Sequence, residues 1–383
     1  MTVPYSIGRA PAIEVGVVAA DRLPSLVGGR GAVLVVDAAL RDGFAAAVER
    51  ALAESADVQV SEVPPGEPTA DSVDAVGEVV RRHPAAVVVG IGGGSVLDTA
   101  KQAAMVAGGR ASIEHYALCA NPFPERRTIV AVPTTSGTGS EVTRTCIFTD
   151  RSGRKVWTWA DGMLPDVVLL DPRATVSLPP TVTATTGLDA FVHAIEAASG
   201  RRRNALVTAP AVQAMRLTLT HLPQAVRTGT DLLARQGMQE AALLAGLAID
   251  AAGTGMAHSI GHALGALARM PHGLAVSVGL RAALAWNVEG AQAAYADIAA
   301  GLGVTADALP AIFDRLAGEV GVHRVARSFG PLALTPAELA EVMVAEENQP
   351  MFANNARPAG NAERDLLAER TLRLWSDYLD ASP

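Results

Sequence analysis

The sequence has few cysteines and no long uninterrupted apolar segment. Cys119 and Cys146 are the only two cysteines among 383 residues. This number excludes a framework of several disulfides and is typical of the reducing cytoplasm. We interpret both thiols as small buried hydrophobic groups. The most apolar windows are well short of the roughly 20 residues that a membrane-spanning helix needs. The sequence therefore predicts a cytoplasmic protein without membrane contact.

Positive charge is also scarce. The chain has 31 Lys and Arg against 39 Asp and Glu, a formal net charge of −8, and the longest basic run is the three arginines at 201–203. This balance argues against a nucleic-acid partner, because phosphate binding needs a basic surface. Residues 1–6 lack the basic and apolar segments of a signal peptide. With 49% hydrophobic and 18% charged residues, we expect a globular chain.

The first half alternates two kinds of segment. Short β-branched runs predict strands, and stretches with helical spacing of apolar residues follow them. The predicted strands are 31–37, 58–63, 85–90, 128–132 and 167–170, and the predicted helices are 41–55, 72–82 and 95–107. Strands that alternate with helices in this way predict a mostly parallel sheet with helices on both faces.

The character of the chain changes near Pro179 and Pro180. Long Ala- and Leu-rich segments follow, separated by Gly, Pro and Asn. The predicted helical segments are 184–199, 209–222, 231–268, 273–286, 292–302, 309–320, 335–345 and 364–379. We therefore expect an α/β domain over 1–180 and an all-α domain over 181–383.

A glycine-rich turn at 90–94 follows a predicted buried strand and opens a helix. Glycines let the backbone approach a phosphate, and the start of a helix favours an anion. Alternatively, the segment is a tight turn in which Ser95 is the N-cap and Asp98 completes a start similar to a capping box. The spacing also departs from the Rossmann fingerprint, because Ser95 stands where its last glycine is expected.

Two further polar features follow predicted strands. Asp37 ends the first predicted strand, where it could accept ribose hydroxyls and repel a 2′-phosphate, or serve only as a turn residue. Residues 133–143 contain six hydroxyl side chains and two glycines, which suit phosphate or ribose but also suit capping of a following helix. Ligands of open α/β sheets bind at such carboxyl ends of strands.

The second half contains a cluster of candidate metal ligands. Asp189 and His193 are four residues apart and so share one face of a helix. His258, His262 and His272 follow in segments rich in Ala and Gly. Any one of these histidines is more readily a core residue with its own hydrogen bonds. Together with a carboxylate, they would be costly to bury unless a divalent transition metal binds them.

These motifs together resemble those of the iron-containing (group III) alcohol dehydrogenase family. They extend in the family's order across nearly the whole chain. The segments that carry the resemblance are GGGSVLDTAK at 92–101, PTTSGTGSEVT at 133–143, LDP at 170–172, GLDAFVHAIE at 187–196 and PHG at 271–273. The resemblance implies the dehydroquinate synthase-like architecture of an α/β nucleotide-binding domain and a helical domain, and a homodimer that uses NAD and Fe²⁺.

The resemblance also implies roles for single residues. Metal ligands of the family match Asp189, His193, His258 and His272, although such ligands also suit Zn²⁺ and other divalent metals. His262 matches a histidine near the nicotinamide and the substrate, while its spacing from His258 would also permit a ligand role. The positions matched to cofactor contacts are Asp37, Gly93, Gly94, Ser95, Asp98, Thr134, Thr135, Lys155 and Leu178.

We therefore expect a metal-dependent, NAD-dependent alcohol dehydrogenase or aldehyde reductase that acts on a small molecule. One alternative is a lyase or cyclase of the dehydroquinate synthase type, which also uses NAD and a metal. The threonine-rich loop and the D-x-x-x-H pattern favour the dehydrogenase. Another is a maleylacetate reductase-like oxidoreductase, which the complete metal-ligand set disfavours.

Overall fold

The computed structural model describes residues 10–380, which divide into two compact units, one ending at Ser177 and the other beginning at Leu178. Residues 1–6, for which the sequence indicates no signal peptide, lie outside the described part. No single described helix is long and apolar enough to cross a membrane; two sharply bent helix pairs, Leu232–Ala252 with Met256–Ala268 and Gln292–Leu302 with Ala306–Glu319, meet the criteria of length and composition only when joined.

The first unit is built on a six-stranded sheet in the order β1-β8-β5-β4-β2-β3, in which every pair is parallel. Strands β6 and β7 form a separate antiparallel hairpin. The strands are β1 Ala12–Val15, β2 Ala32–Asp37, β3 Val58–Val63, β4 Val87–Gly92, β5 Ile129–Pro133, β6 Thr145–Thr149, β7 Lys155–Trp159 and β8 Val167–Leu170. The main helices are α1 Ala19–Val27, α2 Phe44–Ala53, α3 Ala70–Arg82 and α4 Gly94–Val106.

Helices cover both faces of this sheet. Successive side chains of a strand point to opposite faces, and Leu34 and Val36 of β2 accordingly pack in the cluster that includes α1 and α2. Val33 and Val35 pack instead with α3 and α4. The predicted parallel α/β fold of the N-terminal half is therefore confirmed. Asp37 ends a strand, as predicted, but this strand is the second and not the first, because the short, partly exposed edge strand β1 precedes it.

The register of the sheet aligns three strand ends. Val36 of β2 pairs with Ile91 of β4, and Gly92 of β4 pairs with Pro133 of β5. Asp37, the glycine-rich turn and the threonine-rich loop consequently follow three neighbouring strands at their carboxyl ends. We call this end of the sheet the sheet edge. Ligands of parallel α/β sheets bind at this kind of edge.

The second unit is helical, as predicted, and its helices share one large apolar core. Its helices are α5 Pro180–Ser199, α6 Ala205–Arg227, α7 Leu232–Ala252, α8 Met256–Ala268, α9 His272–Gly290, α10 Gln292–Leu302, α11 Leu309–Glu319, α12 Val322–Phe329, α13 Pro336–Met343, α14 Gln349–Asn354 and α15 Asn361–Asp380. The single segment predicted over 231–268 is two helices at 101° to one another. Gly253, in the left-handed region at a φ of 73°, ends the first of them.

The two cysteines differ in their surroundings. Cys146 is buried on β6, as predicted, but Cys119 is exposed, so the expectation of two buried thiols is wrong for it. Cys119 is the last residue of a kinked 3₁₀ segment, Ile113–Cys119, where its φ is 60°. The three arginines at 201–203 are exposed just beyond the end of α5.

Candidate metal centre and nucleotide-binding edge

Helix α5 positions two of the predicted ligands. Asp189 and His193 lie one turn apart on its buried face, where they are 1% and 4% exposed. His193 Nε2 lies 3.6 Å from Asp189 Oδ1. This pairing follows from the helical repeat, which stacks residues i and i+4 on one face.

Helices α8 and α9 add the other two. The Nε2 atoms of His258 and His272 lie 3.9 Å and 3.7 Å from Asp189 Oδ1. The imidazole rings of His193 and His258 stack with their centroids 4.6 Å apart. One donor atom from each of the four residues lies within 4.8 Å of the others, so three separate helices converge on one point.

Small residues allow α9 to approach its neighbours closely at this point. A Cβ at Gly273 would lie 2.3 Å from the carbonyl oxygen of Thr185 on α5. A Cβ at Gly279 would lie 2.4 Å from the carbonyl oxygen of Ala257 on α8. Real Cβ atoms do not approach oxygen so closely, so glycine is needed at both positions to bring His272 beside Asp189.

Two atoms of the cluster, Asp189 Oδ1 and His258 Nε2, are buried without a hydrogen bond to any part of the chain that the structure describes. A buried polar atom left without a partner costs about 1–3 kcal/mol. A divalent cation would satisfy both atoms at once, since carboxylate and imidazole ligands suit Fe²⁺, Zn²⁺ and related metals. The residues therefore fit a bound transition metal.

His262 lies beside this cluster but outside the group of four donors. It is half-buried on α8, one turn after His258. Its ring centroid is 6.1 Å from that of His258 and 5.5 Å from that of His272. Of the two α8 histidines, the geometry brings only His258 into the four-donor group.

The sequence analysis missed Glu196, which is buried on α5 at 6% exposure. Its Oε2 lies 2.6 Å from Nδ1 of His258. Glu196 is seven residues after Asp189, and this spacing puts both on one helix face. The carboxylate belongs to the GLDAFVHAIE motif, so the helical repeat was the signal that could have identified it.

The glycine-rich turn forms the start of α4. Gly93 is the N-cap, and no side chain caps this helix start. The alternative in which Ser95 is the N-cap is therefore wrong, because the helix begins one residue before Ser95. Asp98 does not complete a capping box at this helix start. Its Oδ1 accepts a hydrogen bond from the Ser140 hydroxyl, and its Oδ2 accepts one from the Ile147 N–H.

The threonine-rich loop packs directly on this turn. The Thr134 N–H donates to the Gly92 carbonyl oxygen at 2.9 Å. A Cβ on Gly94 would lie 2.7 Å from atoms of Thr138, and one on Gly93 would lie 3.0 Å from Thr135. The loop leads into a three-residue 3₁₀ helix, Ser140–Val142, and the N–H of Ser140 donates to the Thr138 hydroxyl at 3.2 Å. One hydroxyl of the loop therefore serves the following helical turn, as the capping alternative expects.

The remaining predicted cofactor residues are more dispersed. Asp37 Oδ1 accepts a hydrogen bond from the Ala39 N–H at 2.8 Å, as a turn residue would. Lys155 lies on the separate hairpin, where its ammonium group is 2.9 Å from Glu67 Oε1. Leu178 is half-buried at the start of the second unit. The sheet edge thus joins Asp37 with the two loops, whereas Lys155 and Leu178 lie on other elements.

Comparison with known proteins relates these features to one family. The profile described as iron-containing alcohol dehydrogenase matches residues 10–172, and that of its C-terminal domain matches 183–365. The chain is 36% identical to 1,3-propanediol dehydrogenase of Citrobacter freundii, covering 88% of this chain and 87% of that protein. It is 34% identical to NAD-dependent methanol dehydrogenase of Bacillus methanolicus, over 91% and 90% of the two chains.

Solved structures agree with the sequence relatives. A 1,3-propanediol oxidoreductase superposes with a TM-score of 0.83 at 31% identity. The superposition covers 97% of this chain and 100% of the other. Sulfoacetaldehyde reductase from Bifidobacterium kashiwanohense, solved with NAD⁺, gives 0.87 at 27% identity, over 97% and 99%. These dehydrogenases and reductases do not favour the lyase or maleylacetate reductase alternatives. The chain therefore belongs to the iron-containing alcohol dehydrogenase family.

Proposed function

We propose that this enzyme uses a divalent metal to transfer hydride between NAD(H) and a short alcohol or aldehyde. The observation that carries the proposal is the convergence of three imidazoles and one carboxylate within 4.8 Å of one another. The named activities of the relatives, 1,3-propanediol dehydrogenase and NAD-dependent methanol dehydrogenase, support the substrate class and the cofactor.

Asp189, His193, His258 and His272 would hold the metal. Fe²⁺ is our first choice because of the family, and Zn²⁺ has compatible ligand preferences. When bound, the ion acts as a Lewis acid on the alcohol or carbonyl oxygen. The chain contributes three imidazoles and one carboxylate that are already fixed on three helices, so little reorganisation of the ligands is needed.

His262 is the proposed proton relay. It lies next to the ligand cluster, with its ring 5.5 Å from that of His272, and it is only half-buried. Its imidazole can accept a proton and release it to water near neutral pH. We therefore assign it the transfer of the substrate hydroxyl proton to solvent.

The sheet edge is the proposed dinucleotide site. The start of α4 at Gly93, Gly94 and Ser95 would bind the pyrophosphate, because helix N-termini attract anions. Thr134 and Thr135 would line the same loop, and the Asp37 carboxylate would accept ribose hydroxyls and favour NAD over NADP. Asp98 would support this site through Ser140 and Ile147, which it already binds. Lys155 and Leu178 remain predicted further contacts.

The wider setting of the enzyme is proposed on the same basis. We propose a nucleotide-binding domain over 1–180 and a metal-binding domain over 181–383, in a cytoplasmic homodimer without nucleic-acid or membrane partners. The net charge of −8 supports the absence of nucleic acid. Light scattering coupled to size-exclusion chromatography tests the dimer.

The test of the function is NADH consumption with a panel of short aldehydes by the Fe²⁺-loaded protein. We expect stoichiometric oxidation of NADH with formation of the alcohol. A lyase or cyclase would convert its substrate without net NADH consumption. A maleylacetate reductase-like enzyme would keep its activity after the metal is removed. No NADH oxidation with any aldehyde in the panel would contradict the proposal.

A further inference from the structure

We propose that Glu196 is a positioning residue for the metal centre. It would hold the imidazole of His258 in the tautomer that presents a lone pair to the metal. This inference rests on the metal site proposed above, but it concerns a residue outside the four ligands. The contacts of Glu196 carry it.

The first contact fixes which ring nitrogen of His258 carries the proton. Oε2 of Glu196 lies 2.6 Å from Nδ1 of His258, and both side chains are buried. A carboxylate only accepts hydrogen bonds, so Nδ1 of His258 must donate. In neutral imidazole, a proton on Nδ1 leaves the lone pair on Nε2. That Nε2 lies 3.9 Å from Asp189 Oδ1 and makes no hydrogen bond within the described chain.

The second set of contacts fixes the backbone that carries His258. Oε2 of Glu196 also accepts from the Gly255 N–H at 2.9 Å, and Oε1 accepts from the Ala257 N–H at 2.6 Å. These N–H groups lie at the start of α8, where the N-cap, Gly255, has no side chain to accept them. Glu196 therefore binds both the ring of His258 and the backbone beside it.

One buried carboxylate thus connects two helices that bear ligands. Asp189, His193 and Glu196 all belong to α5. The contact of Glu196 therefore fixes the position of His258, on α8, relative to the helix that supplies the first two ligands. A carboxylate that accepts from a ligating histidine also makes the imidazole a stronger donor to metal, and loss of such a partner typically weakens metal binding about 10–100-fold.

A different result is expected if Glu196 acts only as a cap of α8. Asn355 also caps this helix, because its Oδ1 accepts from the Met256 N–H at 3.3 Å. The other hydrogen bonds of its side chain join it to Asn287 and Arg357, and none of them involves His258. The variant Asn355→Ala therefore removes a cap of the same helix start without removing the acceptor of the His258 ring, and it is the matched control.

The experiment is a chelator competition that measures the dissociation constant for Fe²⁺ in wild type, Glu196→Ala and Asn355→Ala. We expect Glu196→Ala, which removes the acceptor of the His258 ring, to bind Fe²⁺ about 10–100-fold more weakly and Asn355→Ala to bind it nearly as wild type does. Equal affinity in Glu196→Ala and wild type would overturn the inference. An equal loss in both variants would also overturn it, because helix capping would then explain the effect.

A measurement on wild type keeps the test independent of the folding of the variants. In the Zn²⁺-loaded protein, nitrogen-15 NMR should place a hydrogen-bonded proton on Nδ1 of His258, identified by its loss in His258→Gln. A proton on Nε2 of His258 would overturn the inference even if Fe²⁺ binds. Wild type that binds neither Fe²⁺ nor Zn²⁺ would instead overturn the proposed metal site itself.

Discussion

Asp189 Oδ1 and His258 Nε2 lie 3.9 Å apart in the core of the helical unit, and neither makes a hydrogen bond within residues 10–380. They come from helices α5 and α8, and His193 and His272 bring two more nitrogens to the same point. Buried polar atoms are normally hydrogen-bonded, so this arrangement supports the proposal that these four residues share a cation.

Substitution of the histidines should separate ligands from the relay. His193→Ala or His272→Ala should lose metal and activity together, since each removes one of the four donors. His262→Ala should keep the metal and lose rate, by about 10²-fold or more for a group that transfers a proton. Metal content by elemental analysis and kcat with NADH and an aldehyde measure both. If His262→Ala purifies without metal and His258→Ala retains it, the two assignments are reversed.

Gly273 should be intolerant of even one methyl group. In Gly273→Ala the new Cβ would meet the Thr185 carbonyl oxygen at 2.3 Å, so α9 must shift away from α5 and carry His272 with it. Overpacking of this kind costs about 1–3 kcal/mol. We expect a lower free energy of unfolding in urea and weaker binding of Fe²⁺.

The control for this substitution is Gly318→Ala. A Cβ added at Gly318, on α11, would meet no neighbouring atom within 4 Å. Alanine there should leave metal affinity unchanged and raise stability by about 0.5–1 kcal/mol through helix propensity. Unchanged metal affinity in Gly273→Ala would show that the approach of α9 to α5 does not position His272.

Asp37 should set the choice between NAD and NADP. A carboxylate facing a 2′-phosphate costs several kcal/mol, and about 1.4 kcal/mol is a tenfold change in kcat/KM. Asp37→Gly should therefore raise kcat/KM for NADPH while weakening NADH binding, because it removes both the charge and the ribose acceptor.

Asp37→Asn is the sharper companion variant. Its amide oxygen can still accept from the Ala39 N–H, which lies 2.8 Å from Asp37 Oδ1, so the turn is preserved while the charge is lost. It should shift preference toward NADPH in the same direction. Wild type that favours NADPH, or variants whose preference does not move, would place Asp37 away from the ribose.

Glu141 should make the stability of the first unit depend on pH. Burial raises the pKa of this carboxyl to about 7, against weaker lowering by its own backbone N–H and by Lys101. A raised pKa favours the protonated folded state, so its contribution is complete below the usual value of 4.5 and is lost as pH rises through about 7. The loss amounts to about 3 kcal/mol.

Urea denaturation of wild type and Glu141→Gln at about pH 4.5 and about pH 8 measures this contribution. The free energy of unfolding of wild type relative to the variant should fall as pH rises. A difference between the two proteins that is constant across this range would contradict the pKa assigned to Glu141.

Local patterns predicted the features that lie close together in the chain. The spacing of Asp189 and His193 fixes their common face, and the β-branched runs identify β2 and β4. The short edge strand β1 was missed because its four residues, Ala12–Val15, carry no buried pattern. The partners of Asp98 were missed because Ser140 and Ile147 approach it through the fold, 42 and 49 residues away along the chain.

Glu196 shows the same limit within the candidate metal centre. Its helical repeat with Asp189 is visible in the sequence, but its partner His258 is 62 residues away. The contact depends on how α8 packs against α5. Glycines at the α8–α9 and α5–α9 contacts allow this packing, but no local sequence pattern specifies it. Residue types thus indicated the chemistry, while the packing of three helices decided which side chains meet.

Turnover by metal-stripped protein tests the central claim most directly. The protein is dialysed against a chelator, its metal content is verified, and NADH-dependent reduction of a short aldehyde is measured before and after addition of one equivalent of Fe²⁺. We predict no turnover in the stripped protein, restoration by Fe²⁺, and NADH binding that is largely retained throughout, since the proposed ligands and the glycine-rich turn belong to different units. Full turnover in verified metal-free protein would contradict the account.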